Sequence, residues 1–121
     1  MTDHFEPAAV KSSISFAELE KIDIRVGTIT AIEEIPESDK LLRLKVDFGD
    51  HQRNILAGLK QERENPAVLV GLQALFVVNL EPRKMMGEWS EGMLFDIGYA
   101  DKLLPVLAMP EKPIPNGARA G

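Results

Sequence analysis

The strongest constraint on the fold is an unbroken alternation of apolar and polar residues in the middle of the chain. Leu42, Leu44, Val46 and Phe48 are separated from one another by single polar residues. Successive side chains of a β-strand point to opposite faces, so this spacing predicts a strand with one buried and one solvent-exposed face. The apolar face of the sheet that contains this strand must then pack against other elements of the fold.

Similar but weaker patterns predict further strands on both sides of this segment. The expected strands are 22–31, bent by a bulge after Gly27, then 42–48, 52–57, 72–80 and 92–97, with a short added strand over 102–106. Gly49-Asp50 suits a tight hairpin turn between the second and third strands. Five short strands predict an all-β fold, a five-stranded barrel of the oligonucleotide- and oligosaccharide-binding type, or OB-fold.

Two short helices are expected outside the strands. Ser15 and Glu18 have the spacing of a capping box, which predicts a short N-terminal helix from Phe16 to about Lys21. A second helical turn is expected over 58–64, between strands three and four, closed by Asn65-Pro66.

The two ends of the chain lack periodic patterns. Residues 1–13 are expected to form a flexible N-terminal arm, and residues 14–121 to form one folded domain with a C-terminal extension. The proline-rich stretch that ends this extension has little capacity for regular structure.

Composition excludes several classes of protein. The 121 residues fit a single domain, and the absence of cysteine excludes disulfides, thiolate metal sites and thiol nucleophiles. No apolar run reaches 18 residues, and the first twenty residues lack the pattern of a signal peptide. We therefore expect a cytoplasmic protein that does not contact membranes.

The sequence offers little to an enzyme. Its two histidines, His4 and His51, form no metal or acid–base pair of recognisable spacing and are expected to be surface residues. Neither a nucleophile elbow nor a phosphate-binding loop is present. We therefore expect no catalytic residues, no metal, no cofactor and no enzymatic activity.

Charge is unevenly distributed along the chain. The formal net charge is −5, but residues 40–60 contain five basic and two acidic residues. This surplus predicts a basic patch on an otherwise acidic body.

Three segments carry polar or special residues that a plain series of strands does not need. They are D-I-R-V-G at 23–27, S-D-K-L-L-R-L at 38–44, and N-L-E-P-R-K-M-M-G-E-W-S-E-G-M-L at 79–94. Together they resemble the tRNA-binding domain found as the C-terminal appendix of bacterial methionyl-tRNA synthetases, as free-standing tRNA-binding proteins, and in chaperones of the CsaA type. The resemblance covers about Ile14 to Pro115.

This resemblance implies an OB-fold that forms a homodimer and binds tRNA by shape rather than by anticodon sequence. Residues 14–121 would be the tRNA-binding domain, with a C-terminal extension used in dimerisation. The dimer interface is expected to include Phe16 and Leu19 of the N-terminal helix and residues 103–114. The nucleotide-binding signatures of a synthetase are absent, so the expected role is assistance to aminoacylation or tRNA handling, with an aminoacyl-tRNA synthetase as a candidate partner.

The candidate RNA-binding residues come from two kinds of argument. Cations on the polar face of strand two and in the loop over 81–87 are placed to meet phosphates. The resemblance adds uncharged residues, of which Ser90 offers a hydroxyl and Met93 an apolar surface. The full set is Lys40, Arg43, Asn79, Arg83, Lys84, Ser90 and Met93.

Other interpretations of these residues stay open at this point. Arg43 could simply lie on a solvated strand face, and Met93 could fill the core. A CsaA-like chaperone that binds unfolded or presecretory polypeptides is the alternative function, since Met85, Met86 and Trp89 would suit flexible peptide binding. A third hypothesis is that the domain serves only in dimerisation. Aromatic residues are only 6% of the chain, which favours backbone and shape contacts with folded RNA over base stacking.

Overall fold

A computed structural model describes residues 5–121. The strands are β1 (Ile24–Glu34), β2 (Leu42–Asp47), β3 (Gln52–Ala57), β4 (Gln73–Val77), β5 (Arg83–Met85), β6 (Glu88–Ser90), β7 (Met93–Leu94), β8 (Asp96–Ile97), β9 (Val106–Leu107) and β10 (Arg119–Ala120). The α-helix α1 spans Phe16–Leu19, and two 3₁₀ helices span Pro66–Leu69 and Tyr99–Asp101.

The main sheet curls around the long strand β1. Its strand order is β3-β2-β1-β4-β7, with β10 also paired to β1. The first half of β1 pairs with β4 and the second half with β2, all antiparallel. This curled antiparallel sheet confirms the predicted all-β, OB-like fold.

The alternating segment supplies one wall of the core. Leu42, Leu44, Val46 and Phe48 are all buried, as the pattern predicted. The largest fully buried side chains are those of Phe48, Phe76, Ile29, Ile35, Leu44, Ile55 and Val46. The core thus lies inside the curl of the sheet, and the polar faces and loops remain outside.

The bend in β1 lies further along the strand than predicted. The register shift relative to β2 occurs between Ile29 and Ala31 rather than directly after Gly27. Gly27 serves another purpose, because a Cβ atom there would lie 2.5 Å from Val46 Cγ1. The glycine lets β1 pack closely onto the core.

The predicted capping box of α1 is confirmed. Ser15 Oγ accepts a hydrogen bond from the Glu18 amide at 3.1 Å, and Glu18 Oε1 accepts one from the Ser15 amide at 3.1 Å. None of the helical residues is buried. Residues 5–15 are exposed and form no regular secondary structure; the first four residues of the predicted arm, including His4, lie outside the described residues.

The helix between strands three and four was predicted at the wrong position. Residues 58–64 form turns, and the 3₁₀ helix begins at Pro66 instead. Asn65 caps it, its side chain accepting a hydrogen bond from the Ala67 amide at 3.3 Å. Asn65-Pro66 therefore starts a helix rather than ending one, as proline favours the first helical position.

Three further predictions in the C-terminal half were wrong in detail. Residues 81–87 do not form a simple loop, since β5 pairs with β6. The predicted strand over 92–97 is split into β7, which pairs with β4, and β8, which pairs with β9. The added strand, predicted over 102–106, is observed as β9 at Val106–Leu107. Phe95, which lies between β7 and β8, still bonds to β4, because its amide donates to Leu75 O at 2.9 Å.

The end of the chain also has regular structure, contrary to prediction. Gly117 has φ 89°, a left-handed conformation that turns the chain back toward β1. Its amide donates to Val26 O at 2.8 Å, the Val26 amide donates to Ala118 O at 2.9 Å, and β10 then pairs with the start of β1. No helix within residues 5–121 is long and apolar enough to span a membrane.

Candidate nucleic-acid interface

The hairpin formed by β5 and β6 carries three of the seven predicted site residues, Arg83, Lys84 and Ser90. Its turn consists of Met86 and Gly87, with φ 50° and 79°. Positive φ at both positions is the arrangement of a type I′ turn, whose twist matches that of the paired strands. The hairpin is thus a short, regular two-stranded ribbon.

The register of this hairpin separates its two faces. Lys84 lies opposite Trp89, and Met85 lies opposite Glu88. Directly opposite residues of an antiparallel pair share a face, and neighbouring pairs alternate. Lys84 and Trp89 therefore share one face, with Trp89 57% exposed, and Glu88 lies on the other.

The S-E-G part of the long motif attaches this hairpin to β3. Ser90 is only 3% exposed, and its Oγ accepts a hydrogen bond from the Leu56 amide at 3.0 Å while donating to Gly92 O at 3.0 Å. Glu91 Oε1 accepts one from the Asn54 amide at 3.0 Å, and the Glu91 amide donates to Asn54 O at 2.9 Å. These bonds serve in place of a regular β ladder along the edge of β3.

Gly92 is required by the same attachment. Its φ is 152°, and an added Cβ would lie 2.9 Å from Val77 O and 3.3 Å from Ile55 Cδ1. The close approach of β3 and β4 at this point leaves no room for a side chain. Ser90 and Glu91 thus bond the chain to β3, and Gly92 allows β3 and β4 to approach closely. Because the Ser90 hydroxyl already donates to Gly92 O, it has no free proton to donate in the predicted contact with RNA.

Arg43 is occupied by carboxylates. Its Nε donates to Glu88 Oε1 at 2.7 Å and its Nη2 to Glu88 Oε2 at 2.6 Å, a two-point contact between β2 and the hairpin. Its Nη1 donates to Glu33 Oε1 at 2.9 Å. The hydrogen bond to Glu88, followed by that to Glu33, raises the pKa of the Arg43 guanidinium above its ordinary value.

The S-D-K motif forms the connection between β1 and β2. Ser38 is 7% exposed, and its Oγ accepts hydrogen bonds from the amides of Lys40 at 3.2 Å and Leu41 at 2.9 Å. Lys60 Nζ donates to Ser38 O at 3.0 Å. Ser38 and Lys60 thus build the turn, and the turn presents the exposed side chain of Lys40.

Asn79 has a structural position and Met93 an accessible one. Asn79 Oδ1 accepts a hydrogen bond from the Asp23 amide at 2.8 Å, and its Nδ2 donates to Lys21 O at 2.6 Å. The side chain therefore ties the segment before β1 to the end of β4. Met93 is 45% exposed, opposite Val77, and is not part of the core.

The cations available to a ligand are fewer than the local charge surplus indicated. Arg53, like Arg43, is engaged: its Nη1 donates to Val78 O at 2.6 Å. Within residues 5–121, Lys40, Arg83 and Lys84 are exposed and make no ion pair or side-chain hydrogen bond. The Arg43–Glu88 contact places the hairpin beside the start of β2, and Lys40 lies two residues before that strand, so these three cations lie near the same end of the sheet. Within the hairpin, Arg83 and Lys84 are successive residues of β5 and lie on opposite faces.

Sequence reasoning missed the acidic partners of this site. Glu88 and Glu91 were not singled out, although they fix the hairpin to β2 and β3. Glu88 lies 45 positions from Arg43, and no local spacing reveals such a pair.

His51, the predicted surface histidine, is exposed, and its ring Nδ1 lies 2.6 Å from Asp50 Oδ1. No cluster of three metal-ligating residues occurs in the part of the chain described.

The arrangement of motifs agrees with a known family. A family model described as "Putative tRNA binding domain" matches residues 24–119. The chain belongs to the tRNA-binding domain family. This confirms the resemblance drawn from the three motifs.

Several methionine–tRNA ligases are curated relatives of this domain. The ligase of Chloroherpeton thalassium is 44% identical over 107 residues, which are 88% of this chain and 15% of the ligase. That of Bdellovibrio bacteriovorus is 46% identical over 98 residues, 80% of this chain and 14% of the ligase. The chain thus spans about a seventh of the length of these relatives.

Solved structures show the same fold in two differently described proteins. A MetRS-related protein from Pyrococcus horikoshii has a TM-score of 0.83 and 33% identity, covering 92% of this chain and all of that one. The chaperone CsaA from Bacillus anthracis has a TM-score of 0.76 and 31% identity, covering 91% of this chain and all of that one. A MetRS-related protein and a CsaA chaperone, both of kinds that the resemblance named, are therefore structural neighbours.

Proposed function

We propose that this tRNA-binding domain recognises the folded shape of tRNA, largely independently of base sequence, and acts by binding without catalysis. The observation that carries the proposal is the set of three exposed, unpaired cations, Lys40, Arg83 and Lys84, at one end of the described sheet. Two of them lie on a hairpin whose base is fixed by Ser90 and Glu91. Fixed cations meet phosphates at a defined spacing, which favours a folded RNA over a flexible strand.

The uncharged residues support contact with the RNA surface. Met93 and Trp89 are half exposed, and both lie close in sequence to the hairpin cations. One tryptophan does not form the series of stacking platforms on which single-strand binders depend. Side chains also do not reach the base edges in the narrow major groove of A-form RNA. Contacts to phosphates and sugars, with one apolar patch, are then the expected mode of binding.

Titration of folded tRNA at several salt concentrations tests this proposal. With about three to five phosphate contacts, affinity should fall roughly tenfold to a few hundredfold between about 50 and 200 mM salt. The double variant R83A/K84A should weaken binding and lower the slope of log affinity against log salt by about 2. The matched control K11A/K102A removes the same charge from exposed lysines outside the hairpin and outside residues 103–114. Equal affinity in both variants would refute the proposal.

Shape recognition is tested by competition. Different tRNAs should compete almost equally, because the candidate contacts carry no base information. An unstructured RNA of the same length should compete poorly. Equal competition by that RNA would reduce the function to general electrostatic attraction, and a preference of more than about tenfold for one tRNA, roughly 1.4 kcal/mol, would show a base-specific contact.

We further propose that the domain acts as a homodimer. Phe16 and Leu19 of α1 are 73% and 51% exposed, and in the C-terminal extension Leu104 is 73% and Ile114 is 44% exposed. A helix this short is unstable alone in water and needs an apolar surface to cover it. Sedimentation should give twice 13.4 kDa, and F16E/L19E should give 13.4 kDa. V68E, at another exposed apolar position, is the control, and a monomeric parent protein would refute the dimer.

The relatives suggest the process in which this binding takes part. Since several curated relatives are methionine–tRNA ligases, we propose that the domain assists aminoacylation or tRNA handling, with a synthetase as a partner. A second candidate function, binding of unfolded polypeptides, is favoured by the likeness to CsaA and by the exposed Met86 and Trp89. Competition between tRNA and an unfolded polypeptide for the domain separates these functions.

A further inference from the structure

One ion pair connects the body of the barrel to the far end of the cationic hairpin. Arg43 on β2 contacts Glu88 on β6 at 2.6 and 2.7 Å, with side chains 24% and 30% exposed. Glu88 directly follows the turn residue Gly87, so the pair holds the hairpin near its tip. Ser90 and Glu91 hold the same hairpin at its base.

The location of the two hairpin cations depends on this attachment. Arg83 and Lys84 are on β5, which within the described chain pairs with β6 alone. Whatever moves β6 therefore moves both cations and Trp89 with it. Without the Arg43–Glu88 contact, the ribbon would be held only at its base. Because an isolated two-stranded hairpin is marginally stable in water, the two cations would then lose their fixed position.

Arg43 has little left to offer a phosphate. Three of its nitrogen atoms already donate to carboxylates, two to Glu88 and one to Glu33. Turning toward a phosphate would break a two-point contact and leave the Glu88 carboxylate uncompensated beside an approaching polyanion. The same guanidinium serves binding better by holding the hairpin.

We infer that Arg43 is a positioning residue for RNA binding, paired with Glu88, and not itself a phosphate contact. The inference rests on the proposed function and names the pair that orients its cations. Arg43 and Glu88 fix the hairpin so that Lys84 and Arg83 keep a constant spacing from Lys40.

A charge-neutral double variant isolates this role. R43Q/E88Q removes one positive and one negative charge, so the net charge that attracts RNA is unchanged. The variant lacks the Arg43–Glu88 ion pair, which we call the clamp. Its tRNA affinity should fall about tenfold, with the salt slope of the parent protein retained. R43K keeps the charge but loses the planar fork, and should lose affinity as well. D23N/R25Q is the control, because this two-point pair joins Asp23, just before β1, to Arg25 on β1 and touches no part of the hairpin.

The opposite assignment gives opposite results. If Arg43 contacts a phosphate and Glu88 competes for it, E88Q should tighten binding, and R43Q should lower the salt slope by about 1. Those results, or parental affinity in R43Q/E88Q, would overturn the inference. Loss of affinity at constant salt slope would support it.

A measurement without RNA separates this inference from the proposed function. Trp89 is the single tryptophan of the chain and lies on the hairpin. Its fluorescence anisotropy should fall in R43Q/E88Q and stay at the parental value in D23N/R25Q. An unchanged anisotropy in R43Q/E88Q refutes the clamp whether or not tRNA binds. If the parent protein itself fails to bind tRNA while the anisotropy of R43Q/E88Q is reduced, the proposed function is refuted and the clamp remains supported.

Discussion

Removal of the Ser90 hydroxyl tests whether the most prominent motif of the chain is structural. Ser90 Oγ satisfies the Leu56 amide and donates to Gly92 O, both at 3.0 Å, and Leu56 is 5% exposed. In S90A the buried Leu56 N–H loses its partner, at a cost of about 1–3 kcal/mol, and a second hydrogen bond worth roughly 1 kcal/mol is lost. The expected loss in the free energy of unfolding is therefore about 2–4 kcal/mol.

Urea denaturation followed by the fluorescence of Trp89 measures this loss. With an m-value of about 2 kcal/mol per molar urea, the midpoint of S90A should fall by roughly 1–2 M. Protein concentration must be equal in all samples, because a dimer unfolds at a concentration-dependent midpoint. S13A, which changes an exposed serine in the N-terminal segment, should unfold within about 0.5 kcal/mol of the parent.

Two outcomes would refute the reasoning about Ser90. Unfolding of S90A at the parental midpoint would mean that the Leu56 amide finds another partner at no cost. Parental stability combined with weaker tRNA binding would make the hydroxyl a ligand contact. A destabilised S90A that binds tRNA with the parental salt slope, measured where it is folded, would confirm the structural role.

Three other substitutions have defined outcomes. M86N should raise the free energy of unfolding by about 1 kcal/mol in urea, because asparagine before Gly87 tolerates the positive φ of the turn better than methionine. G92A should lower it by about 2 kcal/mol or more, since a Cβ would lie 2.9 Å from Val77 O; full stability would contradict the close packing. Burial raises the pKa of the Glu62 carboxyl, so its proton favours folding at low pH and this contribution is lost as pH rises through the raised pKa. The thermal-stability advantage of E62Q over the parent protein should therefore grow as pH rises above about 4.5, the ordinary value for this carboxyl, and a gain independent of pH would refute this cause.

The strands of the barrel were largely predictable because their signals are local. The alternation over 42–48 requires one buried face, and all four of its apolar residues are in the core. The hairpin at 83–90 was missed because a non-glycine residue, Met86, occupies a left-handed position that sequence rules reserve for glycine or asparagine. The pairing of 119–120 with β1 was missed because it depends on a contact across the whole chain.

The site was predictable as a region but not as a set of contacts. The motifs located Lys40, Arg83 and Lys84, which the structure leaves exposed. They could not distinguish these cations from Arg43, because what separates them is a carboxylate distant in sequence. Composition counts charges, whereas binding depends on which charges already have partners within the fold.

The attachment of the last residues to β1 affects how this protein can be handled. Cutting the chain before Gly117 would remove β10 and expose main-chain groups at the start of β1. Such an unpaired strand edge recruits strands from other molecules, so a shortened protein should precipitate at concentrations where the full chain stays in solution. A purification tag is accordingly better placed at the N-terminus, before the exposed segment 5–15.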